Sequence, residues 1–150
     1  MEGGRLRMAD MVEHVRAVAE NADLTIVEGA GGLMVPIQQG ALMIDFLAEL
    51  AFPALLVARR SLGTINHTLL SLEALDKRGI SPVGVVLSCV SEQSGPEEDF
   101  TPGDLGRLVG PVPVVELPHL PWAAREDPGE IARSMSSAFN QDILERWLGT

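Results

Sequence analysis

Short runs of consecutive apolar residues alternate along this chain with stretches in which apolar residues recur every three or four positions. The runs "LTIVE" (24–28), "PALLVAR" (53–59), "SPVGVVLS" (81–88) and "PVPVVELP" (111–118) predict four strands, apolar on both faces as in a parallel sheet. "LMVPI" (33–37) carries Pro36 and predicts an edge-like or irregular segment. Between them, Met8, Met11, Val12, Val15, Val18 and Ala19 predict a helix over 6–20 that stops near Asn21. A short helix is expected over 41–51. The clearest one is "GTINHTLLSLEALDKRG" (63–79), with Ile65, Leu69, Leu72 and Leu75 on one face, Thr64 or Asn66 able to cap its start and Gly79 able to end it. Residues 103–109 predict another short helix, and Ile131, Met135, Phe139, Ile143 and Trp147 predict a single amphipathic helix over 128–147.

Strands alternating with helices specify an α/β domain with a parallel sheet flanked by helices, and residues 1–150 read as one domain. Ligands of such sheets sit beyond the carboxyl ends of the strands. Glu28–Gly32, Arg59–Asn66, Ser88–Ser91 and Glu116–Trp122 are therefore expected on one rim.

Charge then narrows the partners. A net charge of −10 argues against a nucleic-acid or anionic-membrane surface, where a basic stripe is expected. The lone Cys89 has no internal partner for a disulfide and suits a reducing cytoplasm. The N-terminus lacks the apolar core of a signal peptide, and no 18-residue apolar run exists. Neither His14, His67 nor His119 shows zinc-ligand spacing with another, and no serine sits in a nucleophile elbow.

Two stretches carry candidate chemistry. In "VEGAGG" (27–32), Glu28 either ends a strand in water or beside an arginine, or holds Mg²⁺, which takes one or two carboxylates with water and phosphate oxygens. Gly29, Gly31 and Gly32 allow close backbone approach to a phosphate, or serve only a tight turn. In "LGTINH" (62–67), a loop leads into a helix whose first amides lack internal partners. Gly63, Thr64 and Asn66 form either an ordinary cap or an anion site. Glu97, Glu98 and Asp99 belong to an acidic loop, and Pro121 and Trp122 either wall a flat ligand or close the core.

Taken in order and spacing, "VEGAGGLMVPI", "DFLAELAFPALLVARRSLGTINHTLLSLEALDKRGI", "PVGVVLS" and "PVVELPHLP" resemble the dethiobiotin synthetase family over roughly residues 20–122. The resemblance implies a P-loop NTPase-like fold of the SIMIBI type. It also implies an ATP- and Mg²⁺-dependent ligase of biotin synthesis, usually a cytoplasmic homodimer, that carboxylates 7,8-diaminononanoate with CO₂ and closes a cyclic urea. By this resemblance Glu28 is the Mg²⁺-binding carboxylate, and Gly29, Ala30, Gly31 and Gly32 lie beside the diamine and the nucleotide phosphates. Gly63, Thr64, Ile65 and Asn66 correspond to the segment that grips the substrate carboxylate from the neighbouring subunit. Pro118, His119, Leu120 and Pro121 correspond to the nucleotide-base side. Ser88 stands where the family commonly has an asparagine that reads adenine, and a hydroxyl lacks the paired donor and acceptor of an amide.

The sequence departs from the family pattern at its front. No G-x-x-x-x-G-K-[ST] motif occurs in the 150 residues, and the single lysine, Lys77, falls at the far end of a helix. Phosphoryl transfer depends on positive charge and positioning around the transferred group, so no catalytic residue is assigned. The chain is expected to be a poor catalyst alone and to need a P-loop-bearing half, on a separate chain or upstream, that fills the gap left in the sheet. Two other readings stand beside this one. One is a non-catalytic remnant that dimerises and binds a carboxylate ligand or regulates a full-length relative. The other is a related amide ligase such as cobyrinate diamide synthase, against which the "GTINHTLL" block speaks.

Overall fold

The computed structural model describes residues 7–89, 100–121 and 126–148. Contacts gather these into two compact units, Met1–Phe52 with Lys77–Ile80, and Pro53–Asp76 with Ser81–Thr150.

In the first unit, α1 (Met8–Ala19) and α2 (Met43–Leu50) pack through Val12, Met43, Phe46 and Leu50, with Met8, Met11, Val15 and Leu47 around them. The pairing follows from the apolar stripe that each helix carries. Between the helices, β1 (Pro36–Gln38) runs antiparallel to the two-residue β2 (Ala41–Leu42). The Pro36 segment is thus a short edge ribbon, as its proline demands. Asp45 accepts the Leu42 N–H at 2.8 Å and pairs with Arg78 at 3.0 Å, tying the start of α2 to the 77–80 segment.

The second unit is a three-stranded parallel sheet in the order β3 (Ala54–Arg59), β4 (Pro82–Ser88), β5 (Val114–Leu117). Helices α3 (Thr64–Asp76) and α4 (Pro102–Val109) form the crossovers. Val85, Leu105 and Val109 make the core, joined by Leu56, Ala58, Ile65, Leu69 and Leu72. Three faces of the α3 prediction hold: Ile65, Leu69 and Leu72 point into that core, Leu75 is buried, and Gly79 after the helix has a φ of 68°. Helix α4 opens with Thr101 and Asp104 satisfying each other's backbone amides, a capping box with Pro102 at its first turn.

Three expectations fail, each for a physical reason. Residues 24–28 form no strand; Leu24, Ile26 and Val27 are exposed at 60, 84 and 40%. A strand exists only through its ladder, and no partner lies along this segment among the described residues. Strand β3 is not buried on both faces: Leu56 and Ala58 face the core, while the alternating Leu55 and Val57 lie on the opposite face and are exposed. The helix expected over 128–147 is two helices, α5 (Pro128–Ala138) and α6 (Gln141–Leu148). Phe139 takes an extended conformation, and the Asn140 side chain accepts the Ile143 N–H at 2.9 Å, starting a new helix. The break lets Phe139 meet Trp147 edge-on at 5.3 Å between ring centres.

Trp147 lies directly over Gly84 of β4: a Cβ built there would stand 2.5 Å from the indole Nε1. Gly84→Ala should therefore lower unfolding stability by about 1–3 kcal/mol, the usual range for overpacking. Urea denaturation followed by far-UV circular dichroism checks this, and an unchanged midpoint would contradict the contact.

Candidate functional site

The parallel sheet brings three of the expected loops to one edge. Arg59 pairs in register with Ser88, and Ser88 with Leu117, so the segments after β3, β4 and β5 leave the sheet side by side. Backbone bonds extend this order past the strands. The Arg60 N–H donates to the Ser88 carbonyl at 2.8 Å, and the Cys89 N–H to the Leu117 carbonyl at 2.9 Å. Ser88, His119 and Leu120 are half-buried there, and Pro118 and Pro121 are exposed. Ser91, Glu97–Asp99 and Trp122 fall outside the described residues.

After β3 the chain turns through Gly63, whose φ of 87° favours glycine, and enters α3. Thr64 is buried, and its hydroxyl donates to the Arg59 carbonyl while accepting from the Ser61 N–H. Its side chain therefore holds the strand-to-helix turn closed. Ser61, Leu62, Gly63, Thr64, Ile65, Asn66, Leu69 and Phe100 line an open, largely apolar cleft of about 480 Å³ at the N-terminus of α3. Asn66 and His67 are exposed, and Asn66 adds a polar amide to the cleft wall. A helix N-terminus beside an apolar cleft suits an anionic head on an aliphatic tail.

Glu28–Gly32 belong to the first unit. Glu28 is exposed and closes no strand, since residues 24–28 do not pair. Gly31 has a φ of 87°, and a Cβ there would stand 2.9 Å from Val35 Cγ2, so the turn itself requires this glycine. Gly29 is crowded by Met43, with Sδ 3.1 Å from a built Cβ. Gly32 differs: its Cβ would meet nothing within 4 Å. The next residues are anchored by the first amides of α2, Met43 N–H donating to the Val35 carbonyl and Ile44 N–H to the Leu33 carbonyl, both at 2.9 Å. Among the described residues no group of three or more His, Cys, Asp or Glu side chains could hold a metal ion. The fit to Mg²⁺ thus rests on one solvent-facing carboxylate, which leaves most of the ion's octahedron to water and phosphate oxygens.

Sequence reasoning missed a cluster at the rim. Arg60 Nη1 donates to Glu116 Oε1 at 2.6 Å, Arg60 Nη2 to the Phe100 carbonyl at 3.0 Å, and the guanidinium lies 5.9 Å from the Phe100 ring centre. The Cys89 thiol donates to the same Glu116 oxygen at 3.2 Å. The legible signals were a basic doublet at a strand end and a carboxylate inside an apolar strand, "VVELP". Contact with Cys89, and the charge of Glu116, hold the Arg60 pKa above its ordinary value. Burial, then the hydrogen bond to Glu116, pushes the Cys89 thiol up, and Arg60 opposes this only in part.

The sequence also matches known proteins. A family model described as an AAA domain matches residues 1–125. The chain belongs to this family. The ATP-dependent dethiobiotin synthetase of Anaeromyxobacter sp. (strain K) is 38% identical over 143 residues, 95% of this chain and 62% of that protein. Its counterpart in Anaeromyxobacter dehalogenans (strain 2CP-C) is 40% identical over 142 residues, 95% of this chain and 61% of that protein. That of Paramagnetospirillum magneticum is 57% identical over 63 residues, 42% of this chain. The resemblance to the dethiobiotin synthetases thus extends beyond residues 20–122. The chain spans about three fifths of the length of the first two relatives. The parallel sheet flanked by helices is the α/β, P-loop NTPase-like arrangement expected of the family. No helix among the described residues is long and apolar enough to cross a membrane.

The raised Cys89 pKa has a measurable consequence. At pH 8 the native thiol should react with iodoacetamide more slowly than in urea, since only the thiolate attacks. Because the folded value lies above the unfolded one, the associated stability is present below the unfolded pKa and is lost as pH rises through the folded pKa. Equal alkylation rates in native and unfolded protein would refute the burial of this thiol.

Proposed function

We propose that this chain is the substrate-gripping part of an ATP- and Mg²⁺-dependent dethiobiotin synthetase acting on 7,8-diaminononanoate and CO₂ in the cytoplasm. The observation that carries this reading is the apolar cleft at the N-terminus of α3, formed by the "LGTIN" block shared in pattern with that family. A nonanoate has the matching shape: one carboxylate, then a methylene chain. The carboxylate would accept from the amides opening α3 and from Asn66. Gly63 keeps that approach clear, Thr64 keeps the turn rigid, and Ile65 with Leu69 covers the chain.

Glu28 would hold Mg²⁺, and Gly29, Ala30, Gly31 and Gly32 would run beside the diamine and the phosphates. Gly32, whose bare Cα has no internal reason, supports a close approach from outside. Ser88 and Pro118–Pro121 would form the nucleotide-base side. ATP with Mg²⁺ supplies the activated phosphoryl group; this chain's residues supply orientation and exclusion of water from the alkyl chain. We further propose that residues 1–150 work as one incomplete domain. It would pair as a homodimer and take its phosphate-cradling lysine from a P-loop-bearing segment, because the 150 residues contain no such motif.

Mixing the chain with a P-loop-bearing N-terminal half of a synthetase should yield MgATP-dependent cyclic urea formation, followed with labelled bicarbonate. A well-folded mixture without turnover, but with a stable dimer that binds the diamine regardless of MgATP, would favour the non-catalytic remnant instead. In the reconstituted enzyme, Glu28→Gln should abolish turnover without altering the fold, and retained turnover would sink the metal assignment. Asn66→Ala should raise the KM for the diaminononanoate about tenfold, roughly 1.4 kcal/mol of lost binding, with little change for ATP. Equal effects on both substrates would refute the carboxylate-gripping role.

A further inference from the structure

We propose that Arg60 is a positioning residue: clamped by Glu116, it holds Phe100 as the apolar wall through which the cleft senses the length of a bound alkyl chain. The inference rests on the cleft being a carboxylate–alkyl site, but its structural half stands on geometry alone. Phe100 lines the cleft together with Ile65 and Leu69, yet it lies beyond β4, on the segment that leads into α4. No strand or helix contains it. Its position comes instead from Arg60, which donates to its carbonyl at 3.0 Å and stands 5.9 Å from its ring centre.

The guanidinium is itself fixed from the other side. Glu116, at the end of β5, accepts from Arg60 at 2.6 Å, and the Arg60 backbone is bonded to Ser88 of β4. One residue, through its backbone N–H and its guanidinium together, therefore links all three strand ends to the cleft wall. The planar fork makes this possible: one terminal nitrogen serves the carboxylate and the other the carbonyl, which a lysine ammonium would not do in the same geometry. The pair is about one quarter exposed, with side-chain exposures of 19 and 31%, so it is partly shielded from water.

The test labels the full chain with 4-fluorophenylalanine and follows the Phe100 resonance, assigned by its loss in Phe100→Leu. Binding of nonanoate and of butanoate is titrated in parallel. Arg60→Met should shift the Phe100 resonance toward the value in urea and weaken nonanoate at least about fivefold, with butanoate changed less than twofold. Arg60→Lys should do the same, because charge without the fork is insufficient, and Glu116→Gln should give a smaller change of the same sign. If Arg60→Met fails to fold, the Lys and Gln variants decide. A folded variant with an unmoved Phe100 resonance overturns the positioning role. A moved resonance with equal losses for both carboxylates overturns chain-length sensing. Failure of the unaltered chain to bind nonanoate at all overturns the cleft reading of the preceding section, and is distinct from either result because the resonance shift is read without ligand.

Discussion

Strand β4 is bonded along both edges, to β3 on one side and β5 on the other, and the second unit is organised around that ladder. Its central residues Val85, Val86 and Leu87 are almost wholly buried, so each backbone amide must find its partner in a neighbouring strand. Parallel pairing then has a geometric consequence. All three strands end at the same edge, and residues distant in sequence, such as Arg60, Cys89 and Glu116, become neighbours. An antiparallel sheet would have sent alternate loops to opposite ends.

What hangs from that edge is held by a few polar bonds rather than by further apolar burial. The Thr64 hydroxyl closes the turn after β3, and the Arg60 guanidinium ties the Phe100 segment to β5. This division of labour is physical. Apolar packing is non-directional and fixes a helix against a sheet, whereas placing a loop needs donors and acceptors at defined angles. Buried hydroxyls and half-buried ion pairs are costly to leave unpaired, which makes such loops specific once formed. The cleft inherits its shape from them.

Much of this architecture was legible from period alone. Helix α3 declared itself through Ile65, Leu69, Leu72 and Leu75, with a glycine at its end, and the structure places those residues on the sheet side or in the interior. Strand β4 was equally plain. The segment "LTIVE" had the same apolar character and failed to pair, because apolarity says that a strand needs covering, not that a partner is present. The long C-terminal periodicity likewise concealed a break, since the spacing of Ile131, Met135, Phe139 and Ile143 continues across it while Asn140 restarts the hydrogen bonding. Periodicity reports which face is apolar and is blind to the local bonds that interrupt a helix.

The residues of the α3 cleft, Gly63 to Asn66, were set by sequence, because a glycine just before a helix start defines the turn, the exposed amides and the donor beside them within a few positions. The same local logic marked Gly31, whose left-handed φ the turn requires. Tertiary structure alone decided that Phe100 joins that cleft and that Arg60, Glu116 and Cys89 share a hydrogen-bonded cluster. Those residues lie 27 to 56 positions apart; the alternation of strands and helices put their loops on one rim, but no sequence spacing encodes which side chains meet there. Only the register of β3, β4 and β5 does.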